Sequence, residues 1–290
     1  MNYRHGFHAG NFADLAKHAA VLSFLKHLRG SVAPLTVIDT HAGAGYYDLS
    51  DPHFARSKEA EAGIKYLLSS DVPDSLKPLA GYVRAKNERA GFRDSIGLYP
   101  GSPVLTLDHL RVGDAYVGCE LRPDDFRYLQ EAIVPRGKAQ NVDGYKFAVN
   151  AAQIDDPADM FWLIDPPFER SDDYTQIVDA LKAGLTARPN LKALIWLPLK
   201  DLETFDRYLR DMEHELFAHE DSDGETHEPD LLIAELRLRP LWNPMKMNGC
   251  ALVAVNAPLG FEADLRSIAA DVVTVFGDKG GLAKVWTLNP

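Results

Sequence analysis

The stretch Phe161-Trp162-Leu163-Ile164-Asp165-Pro166-Pro167-Phe168 decides how the rest of the chain is read. Four large apolar residues in a row predict a strand buried on both faces, as in the middle of a parallel sheet. The strand has to stop at Asp165, because Pro166 and Pro167 have no N–H to give to a ladder. An acid, a rigid turn and an aromatic ring therefore gather at the carboxyl end of a buried strand. In an open α/β sheet, that end is where ligands bind.

Upstream, Leu35-Thr36-Val37-Ile38-Asp39 predicts a first strand running into Thr40-His41-Ala42-Gly43-Ala44-Gly45. Strand, acid and Gly-x-Gly turn suit the first binding loop of a nucleotide-type α/β domain, although the third glycine of the dinucleotide fingerprint is missing. A nicotinamide dehydrogenase would also need an acid ending a second strand about 20 residues on. Residues 57–70 and 74–89 read as helices instead. We expect 50–95 to be a helical insertion, with Arg84, Lys86, Arg89 and Arg93 either a basic patch or ordinary surface charge. In Tyr99-Pro100-Gly101-Ser102-Pro103, Ser102 fits as an N-cap with Pro103 at the first helical position. Such a helix start also accepts a carboxylate.

Residues 115–121 predict a second core strand ending at Glu120, whose carboxylate suits a ribose diol. An edge strand over 138–142 leads to Asp143-Gly144, and Asp143 suits the amino group of an adenine ring. Any one strand-end acid is more often a turn former or cap. The series Asp39, Glu120, Asp143, Asp165 argues for a site. Beyond it we expect helices over 174–185, 201–212 and 261–273, a strand over 192–197, and a closing strand pair over 231–238 and 250–255. The loop 242–249 between that pair reads as packing rather than substrate contact.

The first eleven residues, MNYRHGFHAGN, contain no acid. We expect 1–11 to be a mobile arm that orders on ligand, with Tyr3, Arg4 and Lys17 suited to phosphate or base contacts. A helix follows, capped by Asn11 and stopped by Gly30, with Phe12, Leu15, Ala19, Leu22 and Leu25 on one face. His5, His8, His18 and His27 cluster here, yet no cysteine or nearby carboxylate completes a metal site, and none is expected.

Composition narrows the class. The chain has 290 residues, 46% of them hydrophobic, which suffices for one large α/β domain with an insertion. Its two cysteines form no zinc spacing and no disulfide framework. With no secretory leader or membrane-length apolar run in view, we expect a cytoplasmic protein with no membrane partner. A net charge of −11 argues against a nucleic-acid partner until it is located. Residues 211–230 hold nine acids and no Lys or Arg, and without them 33 acids face 31 bases. The remainder can present a basic face, and the acidic segment should lie away from any RNA.

The pattern Asp165-Pro166-Pro167-Phe168 resembles the signature of enzymes that methylate exocyclic amines of nucleobases, chiefly N6 of adenine. That nitrogen is a poor nucleophile, because its lone pair is delocalised into the ring. A carboxylate at Asp165 and the Pro166 carbonyl can each accept one of its hydrogens. They thereby favour the pyramidal nitrogen of the transition state. Phe168 can stack on an extruded base. The plainer alternative is a tight turn with an aromatic plug.

With further motifs the resemblance sharpens. Tyr3-Arg4-His5, Phe7-His8-Ala9-Gly10-Asn11, Ala13-Asp14, Lys17-His18, Asp39-Thr40-His41-Ala42-Gly43-Ala44-Gly45, Tyr99-Pro100-Gly101-Ser102-Pro103, Asp143-Gly144 and Ile164-Asp165-Pro166-Pro167 resemble the RlmJ family of 23S ribosomal RNA adenine-N6 methyltransferases. The resemblance implies a Rossmann-like class I fold that uses S-adenosylmethionine and carries a helical insertion subdomain, the main domain comprising 1–49 and 96–290. It implies a donor site at His18, His41, Gly43, Ser102, Glu120, Asp143, Gly144 and Asp165, with Asp165, Pro166 and Phe168 catalytic and Tyr3 on the RNA. It also implies a monomer acting on 23S rRNA (adenine 2030 of that RNA), protein-free or early in assembly. Phe168 stands where the family usually has Tyr, and Asn248 where it has Ser. A methyltransferase acting on DNA or another RNA, and a non-catalytic RNA- or donor-binding module, are the alternatives.

Overall fold

The computed structural model describes residues 5–51, 57–217, 228–241 and 247–288. Its elements run α1 (Phe12–Leu28), β1 (Leu35–Asp39), β2 (Tyr46–Asp48), α2 (Tyr66–Ser69), α3 (Lys77–Arg89), β3 (Leu98–Pro100), α4 (Ser102–His109), β4 (Ala115–Cys119), α5 (Pro123–Ile133), β5 (Lys138–Gln140), α6 (Gly144–Ala152), β6 (Asp159–Ile164), α7 (Asp173–Ala187), β7 (Lys192–Leu199), α8 (Leu202–Phe217), β8 (Leu231–Arg237), β9 (Gly249–Val255), α9 (Phe261–Phe276) and β10 (Leu282–Leu288). A π-helical turn, Glu61–Lys65, precedes α2.

Eight strands form one sheet in the order β10-β8-β9-β7-β6-β1-β4-β5. Strands β5, β4, β1, β6 and β7 pair in parallel, whereas β9, β8 and β10 add on antiparallel. The chain leaves β1 toward β4 on one side and returns through β6 on the other. The order therefore reverses between β1 and β6, which opens a crevice beyond their carboxyl ends.

The decisive strand behaves as its composition demands. Phe161 and Leu163 point into the core shared with α1, α4 and α9, while Trp162 and Ile164 point into the core shared with α6, α7 and α8. All four are at most 1% exposed, so this is a three-layer sandwich with β6 in the middle. Burying side chains of this size contributes about 1.5–3 kcal/mol each. Phe24 of α1 stacks on Phe161 with ring centroids 4.5 Å apart.

Several elements depart from expectation. Helix α1 is buried nearly all round rather than on one face, because α3, α4 and α9 cover what the sheet leaves open. Strand β10, the short β2–β3 pair and α5 were not expected. β10 mixes exposed and half-buried positions along the sheet edge, which is why its apolar pattern is faint. The acidic stretch 211–230 begins on α8, and its residues 218–227 lie outside the described set. Of the loop 242–249, residues 242–246 also lie outside it, and Asn248 is buried, with its side-chain amide donating to the Lys200 carbonyl at 3.2 Å. No helix among the described residues is long and apolar enough to cross a membrane.

Candidate active site

The crevice beyond β1 and β6 is a cleft, open to solvent and lined by residues from across the chain. Lys17, His18, His41, Gly43, Ser102, Glu120, Asp143, Gly144 and Asp165, nine of the residues singled out from sequence, all line it. Pro166 is buried behind the lining, and Phe168 turns away from it. Tyr3 and Arg4 lie outside the described residues.

One wall is built from the ends of β1, β4 and β5. Asp39 is fully buried and accepts from Ser102 Oγ at 2.7 Å and Tyr116 Oη at 3.0 Å. Burial pushes its carboxyl up to about 6 despite those two donors. Ser102 was expected as an N-cap. Gly101 occupies that position, and Ser102 sits one residue inside α4 with its hydroxyl committed to Asp39. Glu120 accepts from the Gly43 amide at 3.0 Å and the Arg122 amide at 2.7 Å, which shapes the Gly-x-Gly loop, and burial raises its carboxyl as well. Gly43 and Gly45 have φ of +65° and +84°, the left-handed region that this turn requires. Asp143 caps α6 by accepting from the Lys146 amide at 3.2 Å. A Cβ on Gly144 would lie 2.0 Å from the Thr40 carbonyl oxygen, so only glycine lets α6 start against the β1 loop. His41 accepts from or donates to Thr40 Oγ1 at 2.8 Å, and desolvation lowers its imidazole to about 4, so the ring is neutral at pH 7.

The opposite corner is ionic. Lys17, 4% exposed, donates to Asp14 Oδ1 at 2.9 Å and to Asp165 Oδ2. Burial alone would lower its ammonium, but the Asp14 and Asp165 carboxylates overcome that and hold it well above the usual lysine range. A phosphate or base contact from Lys17 was expected, and its ammonium is enclosed between two acids. Asp165 keeps a side-chain exposure of 15% and faces the cleft. Phe168 adopts φ +50°, a conformation costing a bulky residue about 1–3 kcal/mol, and its ring packs on Tyr174 (4.8 Å) and Trp196 (5.9 Å). The ring expected to stack on a base is thus part of an aromatic cluster next to the corner. His18 bonds Tyr99 Oη through Nδ1 at 2.7 Å.

Sequence reasoning passed over Tyr47, Tyr145 and Asp173, and named Asp14 without giving it a role. The i,i+3 spacing of Asp14 and Lys17 on a helix was a readable signal for their pair. Nothing local marks Asp173, a buried acid that lines the cleft and receives the Arg170 amide at 3.1 Å.

A parallel sheet closed by antiparallel strands, acids at successive strand ends and an Asp-Pro-Pro corner in the crevice define a Rossmann-like methyltransferase. The chain belongs to the family described as "Ribosomal RNA large subunit methyltransferase D, RlmJ", which matches residues 32–288. It is 28% identical over 271 residues to "Ribosomal RNA large subunit methyltransferase J" of Escherichia coli, covering 92% of this chain and 91% of that one. The protein of the same name from Haemophilus influenzae is 28% identical over 270 residues, with the same coverage. The crystal structure of protein LPL1258 from Legionella pneumophila superposes with a TM-score of 0.83 at 25% identity, over 97% of this chain and 98% of that one.

Proposed function

We propose that the chain methylates N6 of an adenine in 23S ribosomal RNA, with S-adenosylmethionine as donor and S-adenosylhomocysteine as product. The observation that carries this reading is the Asp165 carboxylate opening onto a cleft whose other wall is lined with acids. That wall suits a donor that brings an electrophilic methyl on a sulfonium. Asp39 and Glu120 supply negative potential, and the neutral His41 adds no repulsion. Glu120 serves the ribose hydroxyls and Asp143 the adenine amino group, with Gly43, Gly144, Ser102 and His18 shaping the cradle.

At the corner, Lys17 engages Asp165 Oδ2, leaving Oδ1 to accept one N6 hydrogen while the Pro166 carbonyl accepts the other. The two fixed acceptors align the nitrogen lone pair with the methyl, so positioning supplies much of the acceleration. As the C–N bond forms, the nitrogen becomes cationic and its surplus proton passes to Asp165 directly or through water. Tyr3 and Arg4 are assigned to the RNA. The 23S substrate, taken protein-free or early in assembly by a single copy of the chain, follows the family resemblance.

Asp165→Asn tests this. Calorimetry should show donor affinity kept within about twofold, while methyl transfer to rRNA falls by about 10²–10³, the usual loss for a preorganised transition-state contact. Near-normal turnover refutes the assignment. Transfer to rRNA from cells lacking this gene, with mapping of the modified base and a single-stranded DNA control, identifies the target.

A further inference from the structure

The helical insertion touches the chain just before α1 at two places, and both contacts lead to the ionic corner. The Glu59 carboxylate meets His8 Nδ1 at 2.9 Å and accepts from Asn11 Nδ2 at 2.9 Å. Asn11 uses its other end to cap α1, accepting from the Asp14 amide at 2.9 Å. A few residues on, the helix slips into the π turn Glu61–Lys65, with Gly63 at φ −101° and ψ −105°. That distortion frees the Ile64 amide from the helix to donate to the Gly10 carbonyl at 2.8 Å. A Cβ on Gly63 would fall 2.0 Å from the same carbonyl oxygen. Gly10 in turn donates its amide to Asp14 Oδ2 at 2.9 Å, and Asp14 Oδ1 holds Lys17. Four hydrogen bonds thus connect residues 59–64 to the first turn of the helix that delivers Lys17 to Asp165.

We propose that Glu59 and the π turn at Gly63 are a strut by which the insertion positions the catalytic corner. Glu59 is a positioning residue. Its carboxylate bonds His8 and Asn11, neither of which lines the cleft, and it acts by fixing the Asn11 cap, hence the Asp14–Lys17 pair. For its activity readout the proposal rests on the methyl transfer proposed above. A charge spent only on surface packing would be exchangeable without consequence, whereas a strut carries its loss into turnover and leaves donor binding alone.

In the full chain, Glu59→Ala should lower kcat for methyl transfer to protein-free 23S rRNA about tenfold, the scale of losing one cap. S-adenosylmethionine affinity should stay within twofold. Glu59→Gln should recover most of the rate, because its amide oxygen still accepts from Asn11. Added to Asn11→Ala, Glu59→Ala should cost little more, since both break one linkage. A Glu59→Ala rate within twofold of the unsubstituted chain, or fully additive losses, overturns the strut. Hydrogen exchange reads it without activity: the Asp14 amide should exchange about tenfold faster in Glu59→Ala, and unchanged exchange overturns the proposal. An unsubstituted chain that transfers no methyl group counts against the proposed function instead.

Discussion

The two sides of the cleft hold their carboxylates by opposite means. On the wall formed by β1, β4 and β5, Asp39 is met by two hydroxyls, and Glu120 and Asp143 by backbone amides. At the corner after β6, Asp165 shares a buried ammonium with Asp14. Neutral donors soften the cost of burying charge without cancelling it, so Asp39 and Glu120 are left hungry for a positive partner. For Asp165 such a partner is already in place, the buried Lys17 ammonium. In the proposed reaction, one wall would receive the cationic donor and the other would align a neutral amine. This division suits methyl transfer from a sulfonium to a nitrogen.

The sharpest way to break that contrast is to titrate it. Asp39 has its carboxyl raised from 3.8 to about 6, so the folded chain holds a proton that the unfolded chain has released. Its contribution is fully present below about pH 4 and is lost as the pH rises through 6. A gap of about two pH units corresponds to roughly 3 kcal/mol. Asp39→Asn should therefore gain stability relative to the unsubstituted chain between pH 4 and 7, by about that amount at the top of the range. Urea unfolding at four pH values measures it. A difference that stays flat across the window would mean that the hydroxyls already satisfy Asp39.

Gly144→Ala probes the same wall through its backbone. The new methyl group would be driven 2.0 Å from the Thr40 carbonyl, backbone that cannot rotate aside. Overpacking of this kind costs about 1–3 kcal/mol. The displacement should weaken S-adenosylmethionine binding, because Thr40, His41 and Gly144 all line the cleft. The ionic corner, reached from β6 and α1, should keep its geometry. Isothermal titration and a thermal melt follow both effects, and undiminished donor affinity would remove α6 from the donor side.

The same division explains what the sequence disclosed. The wall of β1, β4 and β5 is written in short segments: a strand, then an acid at or near a glycine, repeated. Periodicity and strand-end chemistry find such units, and the helices between residues 57 and 89 were visible because they follow one another. The corner depends on Lys17 meeting Asp165 across 148 residues. No local pattern states that meeting, so Lys17 read as a free cation for phosphate or base contacts. Ser102 was misplaced for a similar reason. Its partner Asp39 lies 63 residues away, and the capping rule offered a nearer explanation. Phe168 was legible as an aromatic after two prolines, but its left-handed backbone and its packing on Tyr174 and Trp196 depend on α7 and β7. Edge strand β10 escaped because half-exposed strands carry little hydrophobic contrast.

The finest test separates two duties of one residue. Asp143 caps α6, accepting from the Lys146 amide, and also lines the cleft, where the proposed function sets it against the donor's adenine. Removing the side chain in Asp143→Ala should lower stability by about 1 kcal/mol through the lost cap and weaken S-adenosylmethionine about fivefold through one lost hydrogen bond. Asp143→Asn keeps a capping oxygen, so its melting temperature should stay near that of the unsubstituted chain. If the second carboxylate oxygen accepts from the adenine amino group, asparagine presents an NH₂ there instead, and donor affinity should fall as far as in the alanine variant. Full donor affinity in Asp143→Asn would show that the acid is a cap alone, and the adenine would have to be read elsewhere in the wall.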